Sequence, residues 1–157
     1  MSKSSKPSTL DPKTVVGRRG TVYPDKFKPL VAGREKRSLG NALGLTNFGV
    51  NLVKLEPGAQ SALRHWHSQQ DEFVWILEGE ITLVTDAGAE TLRPGTCAGF
   101  PKGKADGHHL VNRSGADAWY LEVGDRSAGD AVVYPDDDLS ALLVASYKFV
   151  KGDGSPL

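Results

Sequence analysis

At 157 residues the chain is long enough for one domain with a sizeable core and too short for two. Its 39% apolar content, 18 glycines and 9 prolines suit a turn-rich, all-β protein more than a helical one. A single cysteine, Cys97, excludes an intrachain disulfide and leads us to expect a reducing compartment, the cytoplasm.

No apolar run approaches the length of a transmembrane helix, and the first thirty residues lack a signal peptide's apolar region, so no membrane partner is expected. The net charge is zero but unevenly spread: residues 1–37 hold ten Lys/Arg and three Asp/Glu. This basic arm has no helical apolar period from which to build a helix-turn-helix, so docking on the acidic body is expected rather than binding to nucleic acid.

Met1–Pro12 is Ser/Lys/Pro-rich and reads as disordered at its start. Thr14–Leu39, with Pro24 and Pro29, reads as an extended segment over the body, and Lys36–Asn41 as a turn or short edge strand. We therefore divide the chain into an N-terminal arm (1–40), a β-barrel (41–126) and a C-terminal extension (127–157). From Asn47 the alternation is clear, with Phe48, Val50 and Leu52 on one strand face and Asn51 and Val53 on the other. Ser61–His67 and Phe73–Leu77 are the next strands, and a hairpin through Ser68–Asp71 is expected to join them. In the second, Val74 and Ile76 share the parity of Glu72, while Phe73, Trp75 and Leu77 face away; both faces should be covered. Ile81–Thr85, Glu90–Leu92, Thr96–Phe100, His108–Asn112 and Ala118–Val123 continue a meander, with Asp86-Ala87-Gly88 as a hairpin signal. Beyond Asp125, Val132–Tyr134 reads as an edge strand. Asp137 or Asp138 is expected to cap a short helix through Leu139–Ser146, and Tyr147–Lys151 to form a last strand.

The chemistry concentrates in Arg64–Gly79. His65 and His67 are two residues apart in a strand, so both imidazoles share a face, and Glu72 follows five residues later. Two nitrogens and a carboxylate oxygen on adjacent strands suit a divalent metal. Gly95–Asn112 offers a third imidazole, either His108 or His109, since only one can share the ligand face. Strand parity with Asn112 favours His108.

These residues resemble the cupin family. Gly58, His65-x-His67-x4-Glu72 and x6-Gly79 look like its first motif, and Gly95-x5-Pro101-x-Gly103 with His108-x3-Asn112 like its second. The resemblance spans about Asn47 to Asp125. It implies a double-stranded β-helix and a homodimer formed by sheet contact, which the doubly apolar Phe73–Leu77 strand allows. The ligand set is then His65, His67, Glu72 and His108, holding one divalent ion per chain: Zn, Fe, Mn, Ni or Cu. One carboxylate leaves such a site near plus one, attractive to an anionic or chelating small molecule.

Asn112 and Tyr120 are weaker candidates for contact with that ligand, and Gln60, Lys54 and Glu122 for lining a barrel mouth. Arg64 and Trp66 point away from the ligand face. Cys97 lacks a neighbouring base and reads as a small hydrophobe. Some small cupins that look similar are labelled sugar-phosphate isomerases, which makes metal-assisted isomerase chemistry on a small anionic substrate the first reading. An Fe(II) dioxygenase and a non-catalytic binding module are the alternatives. An isomerase needs a cationic grip, for which Lys54, Arg64, Lys102 and Lys104 are the candidates within the motif block.

Overall fold

The computed structural model describes residues 6–143 and 147–157. Residues 1–5, expected to be disordered, and 144–146, the end of the expected C-terminal helix, lie outside the described residues.

Twelve strands form three sheets among the described residues. The largest, in the order β1-β2-β9-β4-β7, contains Arg34–Ser38, Phe48–Leu55, Ala118–Asp125, Glu72–Glu78 and Cys97–Phe100. A second, β12-β11-β10-β3, contains Tyr147–Val150, Leu139–Leu143, Ala131–Tyr134 and Trp66–His67. The third, β6-β5-β8, contains Gly88–Leu92, Ile81–Thr85 and His109–Val111. Isolated bridges Gln60↔Val111 and His65↔His108 link the segment before β3 to β8, joining the two smaller sheets edge to edge.

Alternation decides what lies inside. Val53 and Leu55 of β2, Val74 and Ile76 of β4 and Tyr120 of β9 point inward to meet Ile81, Leu83, Leu92 and Leu110 from the three-stranded sheet. This core is apolar on both sides, and each side chain it removes from water contributes about 1.5–3 kcal/mol. A second core forms where Tyr23, Phe27 and Val31 of the arm pack on Leu63, Val132, Tyr134 and Leu139.

Four expectations are corrected. The arm is not simply extended: Asp25–Val31 forms a 3-10 helix that buries Phe27 and Val31, and Arg34–Ser38 pairs along β2 as the edge strand β1. A one-turn helix α1, Leu39–Leu43, follows it and ends at Gly44 in the left-handed region. Val132–Tyr134 is internal, flanked by β11 and β3. Leu139–Leu143 is a strand, because Asp137 serves the tight turn after β10, donating its N–H to the Tyr134 carbonyl at 3.2 Å, and caps nothing. Lastly, Ser61–His67 and Phe73–Leu77 form no hairpin: β3 pairs with β10, and β4 with β9 and β7.

Candidate metal centre

With no hairpin to bring it there, Glu72 reaches the histidines across the gap between layers. His65 and His108 stand directly opposite each other, their backbones exchanging hydrogen bonds of 3.1 and 2.8 Å. His67 follows two residues after His65 on the same face. Glu72 opens β4 in the opposing sheet, and its Oε2 lies 3.5 Å from His65 Nε2, 3.5 Å from His67 Nε2 and 2.9 Å from His108 Nε2. His108 is thus the histidine that shares the cluster. His109 turns away, its Nδ1 set 3.1 Å from the Ala62 carbonyl.

The far sides of two rings decide what the near sides offer. His65 Nδ1 lies 2.8 Å from the Leu63 carbonyl and His67 Nδ1 2.6 Å from Asp130 Oδ2. Both partners only accept, so Nδ1 carries the proton and the Nε2 of a neutral ring presents a lone pair. Two lone pairs then face a carboxylate oxygen at 3.5 Å, an arrangement that a cation between them would relieve. The donor set therefore fits a divalent metal, and His65, His67 and Glu72 are placed to hold one.

A proton competes with a cation for this cluster. Burial pushes the Glu72 carboxyl up, but the contacts with His108 and His65, when those rings carry a proton toward it, outweigh this and hold the group well below the usual carboxylate range. Burial also disfavours a charged His65, yet the hydrogen bond and charge of Glu72 raise it overall, whereas burial wins at His108 and lowers it. Phe100 stacks on the His108 ring, with centroids 3.6 Å apart and planes 1° from parallel. Among the described residues His108 Nδ1 has no hydrogen-bond partner.

The cluster lines a cavity of about 290 Å³, walled also by Arg34, Lys36, Tyr120, Glu122 and Tyr134. A smaller one of about 190 Å³ shares His67, Glu72, Phe100 and His108 from the other side and includes Lys104. Tyr120 thus lines the larger of these two cavities. Asn112 does not: it is fully buried, its amide donating to the Leu55 and Ala116 carbonyls at 2.8 and 2.7 Å while its carbonyl accepts from Ser114. It holds a loop closed and has no donor left for a ligand. Lys54 pairs with Asp117 and Glu56, and Arg64 with Asp136 and Asp86. The cations of the larger cavity, Arg34 and Lys36, come instead from β1. They were missed because nothing in a charged strand's sequence tells which strand it pairs with. Asp130 was missed for the same reason.

The cupin domain family profile matches residues 51–124. A crystal structure described as a sugar phosphate isomerase from a cupin superfamily, from Silicibacter pomeroyi DSS-3, is 45% identical to this chain. The match covers 95% of this chain and 96% of that one with a TM-score of 0.92. This chain is a member of the cupin superfamily. A second cupin-like structure, described provisionally as a sugar phosphate isomerase from Acidithiobacillus ferrooxidans, shares 28% identity over 83% of each chain, with a TM-score of 0.76. The polyketide cyclase RemF of Streptomyces resistomycificus shares the cupin fold at 21% identity, covering 74% of this chain and 78% of its own, with a TM-score of 0.62. No functionally curated protein matches the chain. The cupin profile covers the four candidate ligands but neither β1 nor Asp130, so the Arg34 and Lys36 side of the cavity and the partner of His67 lie outside it.

Proposed function

We propose that this cupin is a metal-dependent isomerase acting on a small, polar, anionic substrate of the sugar-phosphate type. The observation that carries the reading is that the Nε2 atoms of His65, His67 and His108 lie 3.5, 3.5 and 2.9 Å from Glu72 Oε2 in a cavity that also holds a second carboxylate, Glu122. The 45% identity with the Silicibacter protein over nearly the whole chain supports the substrate class.

A divalent ion held by these four side chains would polarise a substrate carbonyl oxygen and make the neighbouring C–H more acidic. The protein must then move a proton between adjacent carbons. Glu122 is the residue we assign to this task. Its Oε1 accepts from Lys36 Nζ at 2.7 Å and from Asn51 Nδ2 at 3.0 Å, which fixes the carboxylate. Its Oε2 makes no hydrogen bond among the described residues and is the atom to take the proton from one carbon and return it to the next. Val74, Leu110 and Val132 supply apolar walls to the same cavity.

The test begins with metal content by plasma mass spectrometry, on protein purified without chelators, beside a His67→Ala/Glu72→Ala variant. About one metal per wild-type chain and none in the variant is expected. NMR in deuterated water then follows hydrogen exchange at the carbon beside the carbonyl of candidate sugar phosphates, which should require metal and be lost in Glu122→Gln. Equal metal in both proteins, or a metal-loaded protein that exchanges no substrate hydrogen, overturns the proposal. Oxygen uptake by the iron form would turn the reading to a dioxygenase.

A further inference from the structure

The cavity contains one cation that the protein does not neutralise. Lys36 is paired with Glu122, and Arg19, Arg37, Lys54 and Arg64 all have carboxylate partners. Arg34, half-buried on β1, bonds instead to backbone carbonyls, those of Ser61 and of Gly20, the latter at 3.3 Å. Among the described residues it forms no ion pair. A guanidinium has five N–H groups, so these contacts orient it without exhausting it.

The same cavity holds a buried hydroxyl. Tyr120 is fully buried, and among the described residues its Oη meets no partner in full hydrogen-bonding geometry, the Ser61 hydroxyl being a polar neighbour that acts on it. Burying a hydroxyl without a well-formed hydrogen bond is costly, so a native protein keeps one for a reason. Burial drives the phenol well above its ordinary value, which keeps it a neutral donor, and the charge of Arg34 acts on both Tyr120 and Tyr23.

The strand register separates this pair from the histidines. Tyr120 lies level with Val53 and Lys36, while Glu72 lies level with Gly124, four residues further along β9. At about 3.3 Å per residue that is roughly 13 Å of strand, spanned by side chains that reach into the same cavity from both ends.

We propose that Arg34 and the Tyr120 hydroxyl form an oxyanion-binding subsite, which holds the terminal phosphate or carboxylate of a ligand whose other end meets the histidine–glutamate cluster. Arg34 supplies charge and planar donors, and Tyr120 a single neutral donor from a dry wall. The subsite deepens, and rests on, the reading of this cavity as the place where a small anion is processed. It is tested without turnover.

The experiment is calorimetric titration with inorganic phosphate, and separately with acetate, of wild type, Arg34→Gln, Arg34→Lys and Tyr120→Phe, each before and after chelator treatment. Arg34→Gln keeps a donor for the carbonyls but loses the charge. It should weaken anion binding by roughly ten- to hundredfold, with Arg34→Lys in between. Tyr120→Phe should weaken it severalfold while leaving the melting temperature unchanged or higher, since an unpaired buried hydroxyl is removed. Phosphate binding without acetate binding assigns a phosphate, and the reverse a carboxylate. Wild-type affinity in Arg34→Gln and Tyr120→Phe, no binding of either anion, or binding abolished by the chelator alone would overturn the subsite. Absence of hydrogen exchange by metal-loaded protein would remove the isomerase reading and leave Arg34-dependent anion binding standing. Should Arg34→Gln not fold, Arg34→Lys and Tyr120→Phe still decide the matter.

Discussion

Asp130 Oδ2 lies 2.6 Å from His67 Nδ1, and this buried carboxylate, 58 residues after Glu72, fixes the tautomer and the aim of the histidine. Asp130 also accepts the Gln69 N–H at 2.9 Å, tying the loop after β3 to the start of β10. Asp130→Asn should keep the loop and lose the tautomer control. We expect metal affinity to fall by roughly 10–100-fold, measured by competition with a chromogenic chelator. Unchanged affinity would mean that Leu63 and the strand pairing alone orient the site.

Arg64 grips Asp136 with two hydrogen bonds of 2.6 Å each, and also reaches Asp86 and the Gly107 carbonyl. Arg64 holds the Asp136 carboxyl below its ordinary value. A carboxyl depressed in the folded state adds stability above its unfolded pKa of about 4, and loses it as pH falls through the folded value. Arg64→Met should therefore flatten the acid side of the stability–pH profile. Because Asp136 is half exposed, the loss at neutral pH should be about 1 kcal/mol or less and should shrink in salt. Denaturant unfolding at pH 7 and pH 3 checks both statements, and an identical loss at the two pH values would refute the pairing as its source.

Gly79 turns the chain between β4 and β5 at φ +76°, and a Cβ there would sit 2.8 Å from the Asp117 carbonyl oxygen and 2.9 Å from Ala118 Cα. Neither backbone atom can step aside without disturbing β9. Gly79→Ala should cost roughly 1–3 kcal/mol, read as a lower urea midpoint at unchanged slope. A neutral result would show that the turn relaxes.

The outer row of β4 is apolar and uncovered: Phe73, Trp75 and Leu77 are 37, 48 and 45% exposed. Register places Trp75 beside Leu121 and Leu52, and Phe73 beside Val123 and Val50, so the middle of this face carries no charge. A second copy, apolar against apolar about a two-fold axis, is the partner we expect to cover it. Sedimentation should give a dimer that Trp75→Glu converts to monomer. Cys97, exposed and cross-strand from Trp75, should react faster with thiol reagents in that variant. A monomeric wild type would remove this expectation.

How much was legible beforehand follows from the range of the interactions. The shared face of His65 and His67 depends on a period of two, a local property, and parity with Asn112 was enough to prefer His108. Glu72 was found, but by an incorrect route: the residues between His67 and Glu72 read as a hairpin, whereas they carry the chain from one sheet to the other. Leu139–Leu142 alternates between buried and more exposed, yet so short a run is too little to tell that pattern from one helical turn. Arg34, Lys36 and Asp130 depend on pairings between distant strands, which no window of sequence contains. Asn112 was placed on the correct strand face, but the neighbours that use up its hydrogen bonds were not visible.

The strand β1 lies at the rim of its sheet, where an isolated bridge from Lys36 to Arg18 is all that pairs with its outer side among the described residues, and it is joined to the rest by a 3-10 turn and a one-turn helix. An edge strand can vary without unpicking any strand beyond it. Of the candidate ligands, Glu72 sits on the internal strand β4, and the histidines on β3 and the bridged segments between two sheets, where change is costly. A protein built this way can keep one reactive centre and alter what it accepts by rewriting a five-residue strip, with positions 34 and 36 as its two letters.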